Sequence, residues 1–345
     1  MENQEIILKV QNDLAHLSVV RDQARSAATL KAYKSDYRNY CAYCLENYIE
    51  PEPVQPGALA LYLVELSQRG MKVTSIARHA TAIRVLAIRS GSLDPFDSSV
   101  RDVLLGLRRG QAGQYTRRQA KPLSIADLRA VIGRIDLSVA GKRDRAVLLI
   151  GWFGALRRSE IASLDRNDID LSADGLRIRI RRSKTDQESQ GYEIGIPRLA
   201  DDVLDACDAW IRWLEVLDRI NPDGQAVFCK LGNSVMWQFT IAACCGRPRG
   251  AELPRLSARS VCEVLRRRLR AARLSAVGYS GHSLRAGFAT EAAACGVPEW
   301  AIQRHTRHKS TTSLRSYIRA GQLFGDNENA VKLMLGIKTP SANSR

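Results

Sequence analysis

The stretch Ser280-Gly-His282-Ser-Leu-Arg285-Ala-Gly-Phe-Ala-Thr290, continued through His308 to Tyr317, is the part of the chain on which the fold turns. His282 and Arg285 are three residues apart. On a helix that begins at Ser283 they project from its N-terminal end toward one place, and helix N-termini favour anions such as phosphate. Three of the five histidines, His282, His305 and His308, fall in this run. Tyr317 stands nine residues beyond His308, across Ser310-Thr-Thr-Ser313, a segment suited to capping a short helix.

Upstream, two further segments hold groups suited to a phosphodiester. Gly154-Ala-Leu-Arg157-Arg-Ser-Glu160-Ile-Ala-Ser-Leu164 joins an apolar core helix, Asp144 to Phe153, to a basic pair. Two adjacent arginines are by themselves an ordinary solvated corner; the register with Glu160, three residues on, selects Arg157 over Arg158. The other segment surrounds Lys184, in the polar turn SKTDQESQG. It lies between Leu176–Ile180 and Tyr192–Ile196, which alternate apolar and polar residues as hairpin strands do. Lys-Thr in a polar turn is common surface sequence, and Arg181 and Arg182 are rival donors.

Taken in order, Arg157 with Glu160, Lys184, His282 with Arg285, His308 and Tyr317 resemble the tyrosine recombinase (lambda-integrase) family, and within it the Cre-like members. That family's pattern is an Arg followed three residues later by Glu or Asp, a Lys in a β-hairpin, a His-x-x-Arg box, a His or Trp, and a Tyr nine residues beyond. Each motif alone is weak, and the ordered set is specific. One position departs: the family usually has Gly before the second His, where this chain has Arg307. The change alters the turn before His308 and leaves His305 as a competitor.

The resemblance implies a site-specific DNA recombinase that works through a 3′-phosphotyrosine on Tyr317 and frees a 5′-hydroxyl, with no cofactor and no metal. A tyrosine nucleophile keeps the energy of the broken phosphodiester for rejoining. Arg157 and Arg285 would neutralise the charge gathering on the nonbridging oxygens. Lys184 would protonate the departing oxygen. His282 would hydrogen-bond a phosphate oxygen or take the tyrosyl proton, His308 would donate a further hydrogen bond, and Glu160 would orient His282 or the arginines.

Composition agrees with such a partner. The 345 residues carry 52 Lys and Arg against 36 Asp and Glu, a formal charge of +16, while 45% are hydrophobic. That describes a folded protein with a polyanionic partner, nucleic acid first and an anionic membrane surface second. No apolar run approaches the roughly 20 residues that span a bilayer, so the expectation is no membrane and a cytoplasmic location. Eight cysteines are scattered without a secretory signal, and reduced thiols are expected. Cys41-x-x-Cys44 has no second ligand pair at finger spacing.

The expected class is mainly α with a small β-sheet, in two domains closing on DNA as a C-shaped clamp. Residues 15–110 read as a helical core-binding domain, after an opening segment at Glu5 to His16. Its helices are Ala27–Tyr48, Pro56–Gln68, Thr74–Arg89 and Ser98–Arg109, punctuated by Gly70, Gly91 and Gly110. Ile76, Ala80, Ile83 and Ala87 form one apolar stripe. Residues 111–122 read as a basic linker, 123–325 as an α+β catalytic domain, and 326–345 as a helix and tail. On that tail Ala330, Val331, Met334 and Leu335 share a side. They would pack on their own domain or dock into a neighbouring subunit of a ring.

From Ser257 to Leu274, Val261, Leu265, Leu269 and Ala272 make an apolar face and leave Arg259, Arg266, Arg267, Arg270 and Arg273 elsewhere. A charged surface helix explains this equally well. The resemblance instead implies a major-groove helix with Arg259 able to fork to a guanine, and Thr74 and Arg78 in the corresponding place on the first domain. It further implies double-stranded DNA with paired inverted half-sites, a monomer when free, and a homotetramer on DNA that passes through a Holliday junction. Two rivals remain at this point. One is a type IB topoisomerase-like enzyme, and the other is a sequence-specific DNA-binding protein without strand exchange.

Overall fold

A computed structural model of the chain describes residues 24–112, 120–181, 191–201, 203–231, 252–308, 314–318 and 334. The chain forms two units, residues 1–117 and 118–345. Among the described residues no helix is long and apolar enough to cross a membrane.

The first unit is helical. α1 (Ala27–Glu46) starts at Ser26, whose hydroxyl accepts from the Thr29 amide. It is followed by α2 (Pro56–Gln68), α3 (Val73–Arg89) and α4 (Ser98–Gly110), the last capped by the Asp97 carboxylate. α2 and α3 end at Gly70 and Gly91, both left-handed, where a side chain would be strained. The stripe Ile76, Ala80, Ile83 and Ala87 is wholly buried against Tyr40, Leu59 and Leu63. Cys44 lies in the same core, where burial pushes its thiol up, and Cys41 packs at its margin. One polar group crosses the unit: Tyr62 Oη lies 3.0 Å from His79 Nδ1, and His79 Nε2 lies 3.3 Å from buried Asp36.

The second unit begins with α5 (Ile125–Ile132), capped by Ser124, and the central α6 (Val139–Phe153). Next come α7 (Arg158–Ser163), a 3-10 turn (Arg166–Asp168) and a three-stranded antiparallel sheet in the order β1-β2-β3. The strands are β1 (Ile169–Leu171), β2 (Gly175–Ile180) and β3 (Tyr192–Pro197), with Leu176 opposite Ile196 and Ile178 opposite Ile194. Those four residues face the core, while Arg177, Arg179 and Glu193 face out, which is the period of two read in the sequence. β1 went unforeseen, because three residues are too few to show a period. After the sheet come α8 (Ala206–Ile220), α9 (Ala258–Ala271), α10 (Ser283–Ala294) and α11 (Glu299–Thr306).

Two packing features set the site. α10 lies close against α6 because Gly287 has no side chain: a Cβ there would fall 2.0 Å from the Leu123 carbonyl oxygen and 2.8 Å from Trp152 Nε1. Trp152 itself donates to that carbonyl at 2.9 Å. α9 is fastened to α6 by Asp144, a fully buried carboxylate that accepts from Arg143, Arg267 and Arg268. The end of the sequence-read linker belongs to this unit too, since the Lys121 amide donates to the Gly278 carbonyl at 3.0 Å. The opening segment, residues 113–119, the turn with Lys184, and the tail except exposed Met334 lie outside the described residues.

Candidate active site

α6 ends at Gly154, and the chain reverses through Ala155, whose φ of 44° is left-handed for a residue that carries a Cβ. This turn delivers Arg157 to the start of α7. There the Arg157 amide donates to Glu160 Oε2 at 2.8 Å, and its Nη1 donates to Glu160 Oε1 at 2.6 Å. Glu160 is buried, and Arg157 is mostly so.

α10 supplies the second guanidinium. His282 caps its start and is exposed, while Arg285, one turn in, is only 4% exposed. Arg285 Nη1 donates to the Ala155 carbonyl at 2.9 Å, so the strained turn and the buried arginine hold one another. Burial, then the neighbouring charges of Arg157 and Arg307, push this guanidinium down to about 9. It remains charged at neutral pH, but at a free-energy cost that an arriving anion would relieve.

α11 brings the histidine. His308 Nδ1 lies 2.8 Å from Thr306 Oγ1, and that hydroxyl already donates to the Ile302 carbonyl at 2.6 Å. The network therefore assigns the imidazole proton to Nδ1 and leaves the Nε2 lone pair toward Arg285 Nε, 3.4 Å away. Burial first, then Arg285, Arg157, Arg307 and His282, push His308 down to about 3. The expected donor is thus an acceptor here, because cations surround it. Tyr317, in the helical turn 314–318, has its ring centroid 6.3 Å from that of His308. It packs against a small cluster of Ala289, Ala293, Ile302 and Leu314.

The other expected members fall differently. His305 is no competitor: Nε2 bonds the Phe153 carbonyl at 2.7 Å and the ring stacks on Phe288. Lys184 and Arg182 lie outside the described residues, and Arg181 is engaged by Asp165 and Asp168. Glu160 turns to the arginines rather than to His282, since both its oxygens are taken by Arg157 and Arg307. Arg307 is the residue whose part was missed. It occupies a left-handed position at φ 56°, which explains a preference for glycine there, and its guanidinium is buried beside Glu160. The signal was visible as a departure but had no partner in the linear sequence.

The arginines on α9 divide into two groups. Val261, Leu265, Leu269 and Ala272 are buried as read, and Arg259 and Arg270 are exposed. Arg267 instead bonds Asp144, and Arg266 donates to the Tyr279 carbonyl at 3.1 Å and to Glu263, so both brace the fold. In the first unit Thr74 is exposed, and Arg78 donates to Asp36 at 3.1 Å.

The phage integrase family model matches residues 123–322, and the phage integrase N-terminal SAM-like domain matches residues 14–87. The chain belongs to the phage integrase family. It is a tyrosine recombinase, of the class of enzymes that cleave and rejoin DNA. An integrase/recombinase xerD homolog of Selenomonas ruminantium is 28% identical over 311 residues, covering 89% of this chain and 85% of that one. The recombinase cre of Escherichia phage P1 is 26% identical over 325 residues, 88% of this chain and 87% of that one. Among solved structures, a lambda integrase tetramer bound to a Holliday junction matches with a TM-score of 0.53 at 16% identity. That match covers 90% of this chain and 78% of the other and speaks to the fold.

Proposed function

We propose that Tyr317 is the nucleophile of this family member and that Arg157, Arg285 and His308 bind the phosphate it attacks. The observation that carries the reading is their convergence: Arg285 Nη1 bonds the Ala155 carbonyl in the turn that leads to Arg157, its Nε faces His308, Arg157 Nη2 reaches the carbonyl of Arg307 next to that histidine, and the Tyr317 ring centroid lies 6.3 Å from that of His308. The Tyr317 oxygen attacks phosphorus, the bond to the 5′-oxygen breaks, and a 3′-phosphotyrosine forms. The tyrosyl proton passes to His282, exposed at the N-terminus of α10, and the departing oxygen takes a proton from Lys184. Arg157 and Arg285 carry the charge of the phosphorane.

Arg259 and Arg270 on α9 and Thr74 on α3, all exposed, contact DNA; Arg266, Arg267 and Arg78 contribute to its positive field while holding their protein partners. The DNA carries paired inverted half-sites, and a protomer that is monomeric when free assembles there as a homotetramer that exchanges strands through a Holliday junction. The likeness to a solved lambda integrase tetramer on a Holliday junction supports this assembly.

The test starts from a DNA site selected out of a randomised pool by the purified chain. A nicked suicide version of that site should trap the protein covalently, and Tyr317→Phe should bind it and form no adduct. An undiminished adduct in Tyr317→Phe overturns the nucleophile, and strand exchange with a single site overturns the paired-site reading.

A further inference from the structure

Arg307 is the buried charge in the site that the roles above leave unused. Its Nη2 donates to Glu160 Oε2 at 2.9 Å and to the Ala155 carbonyl at 3.2 Å, and its Nη1 reaches the Gly154 carbonyl at 3.4 Å. Its own carbonyl oxygen accepts from Arg157 Nη2 at 3.4 Å. One residue therefore ties the Gly154 to Arg157 turn, Glu160 and the segment carrying His308 into a single piece.

The charges explain why a cation rather than a glycine serves here. Glu160 holds Arg157 through two hydrogen bonds, one of them to the guanidinium fork that a phosphate would need. Carboxylate and phosphate compete for that fork. A second guanidinium on Glu160 weakens the competition, since the carboxylate charge is then shared. With Arg157, Arg285 and Arg307 against Glu160 the cluster sums to +2; without Arg307 it sums to +1. Arg285 Nη2 and Arg307 Nε are buried donors that have no acceptor among the described residues. A surplus of donors is what a site awaiting an anion holds. Arg307 also bears the strain of its left-handed backbone, and such strain persists where surrounding contacts enforce it.

We propose that Arg307 is a positioning residue for strand cleavage: its guanidinium answers the charge of Glu160 and so releases the Arg157 fork to the scissile phosphate. The inference rests on the recombinase chemistry proposed above. It is tested by single-turnover cleavage of the suicide site with the native chain, R307Q, R307K and the double variant R307Q/E160Q.

R307Q should cleave roughly 10- to 100-fold more slowly while its DNA affinity stays within about threefold. R307K, which keeps the charge, should recover most of the rate, and R307Q/E160Q should be faster than R307Q because no carboxylate is left to hold Arg157. A native rate in R307Q, equal losses in R307Q and R307K, or no gain in the double variant would overturn the role of Arg307. Absence of any adduct with the native chain would instead overturn the recombinase chemistry itself.

Discussion

Arg285 donates through Nε to Nε2 of His308 across 3.4 Å, which makes the histidine an acceptor at the centre of a cationic cluster. For Nε2 to donate to a phosphate oxygen, the ring must first gain a proton or shift the one it has. The arriving anion favours this change, because it cancels the charges that keep the ring neutral.

That environment makes a prediction for stability. Folded His308 binds its proton near pH 3, whereas the unfolded chain binds it near the ordinary value of about 6.5. Between those values the unfolded state holds more protons, so stability contributed by His308 is full above about pH 6.5 and is lost as the pH falls. His308→Asn should flatten this loss by on the order of 2 kcal/mol between about pH 6.5 and pH 4. Urea midpoints for both proteins across that range check it, and parallel curves would count against the depressed titration.

Arg285→Lys keeps the charge but cannot donate to the Ala155 carbonyl and to His308 at once. Cleavage should fall by about 100- to 1000-fold, with DNA affinity changed by no more than a few fold. Single-turnover adduct formation measures the first and a binding titration the second. A variant as fast as the native protein would show that charge alone suffices.

Ala155→Gly removes the side chain from a left-handed backbone position. The gain from relieved strain exceeds the added freedom of the unfolded chain, and a net stabilisation of ~0.5–1 kcal/mol is expected. A raised urea midpoint with an unchanged slope would confirm it. A lowered midpoint would mean that the Ala155 methyl contributes packing that outweighs the strain.

Asp144→Asn leaves Arg143, Arg267 and Arg268 facing a neutral amide in a fully buried position. Loss of one partner from a buried ion cluster should cost about 3 kcal/mol. Thermal unfolding would show this. A change under 1 kcal/mol would mean that α9 is held by its apolar face alone.

Arg259→Ala should cost about 1–3 kcal/mol on the selected site and relax the preference at one base, as loss of a fork to guanine does. Arg270→Ala should weaken binding evenly across sequences and reduce its salt dependence. Selection from a randomised pool with each variant separates the two. Unchanged base preference in Arg259→Ala would move the groove contact elsewhere.

Much of this molecule was legible in the sequence because the relevant signals are local. The stripe on α3 repeats within a few turns, Ser124 and Ser257 mark helix starts, and the His282 and Arg285 spacing needs only one helical turn. What stayed hidden depends on contacts between distant segments. Arg307 meets Glu160 147 residues away, and Arg267 meets Asp144 123 residues away, so neither partner is visible in the neighbourhood of either. His305 and His308 looked alike by composition; only the carbonyl at the end of α6 distinguishes the packed ring from the one in the site.

The contact between Arg157 and Arg307 joins residues 150 positions apart, so forming it costs loop-closure entropy that only the folded second unit repays. Arg157 and Glu160, three residues apart, pair almost without that cost. The ion pair is local, and its tie to the segment carrying His308 belongs to the tertiary fold.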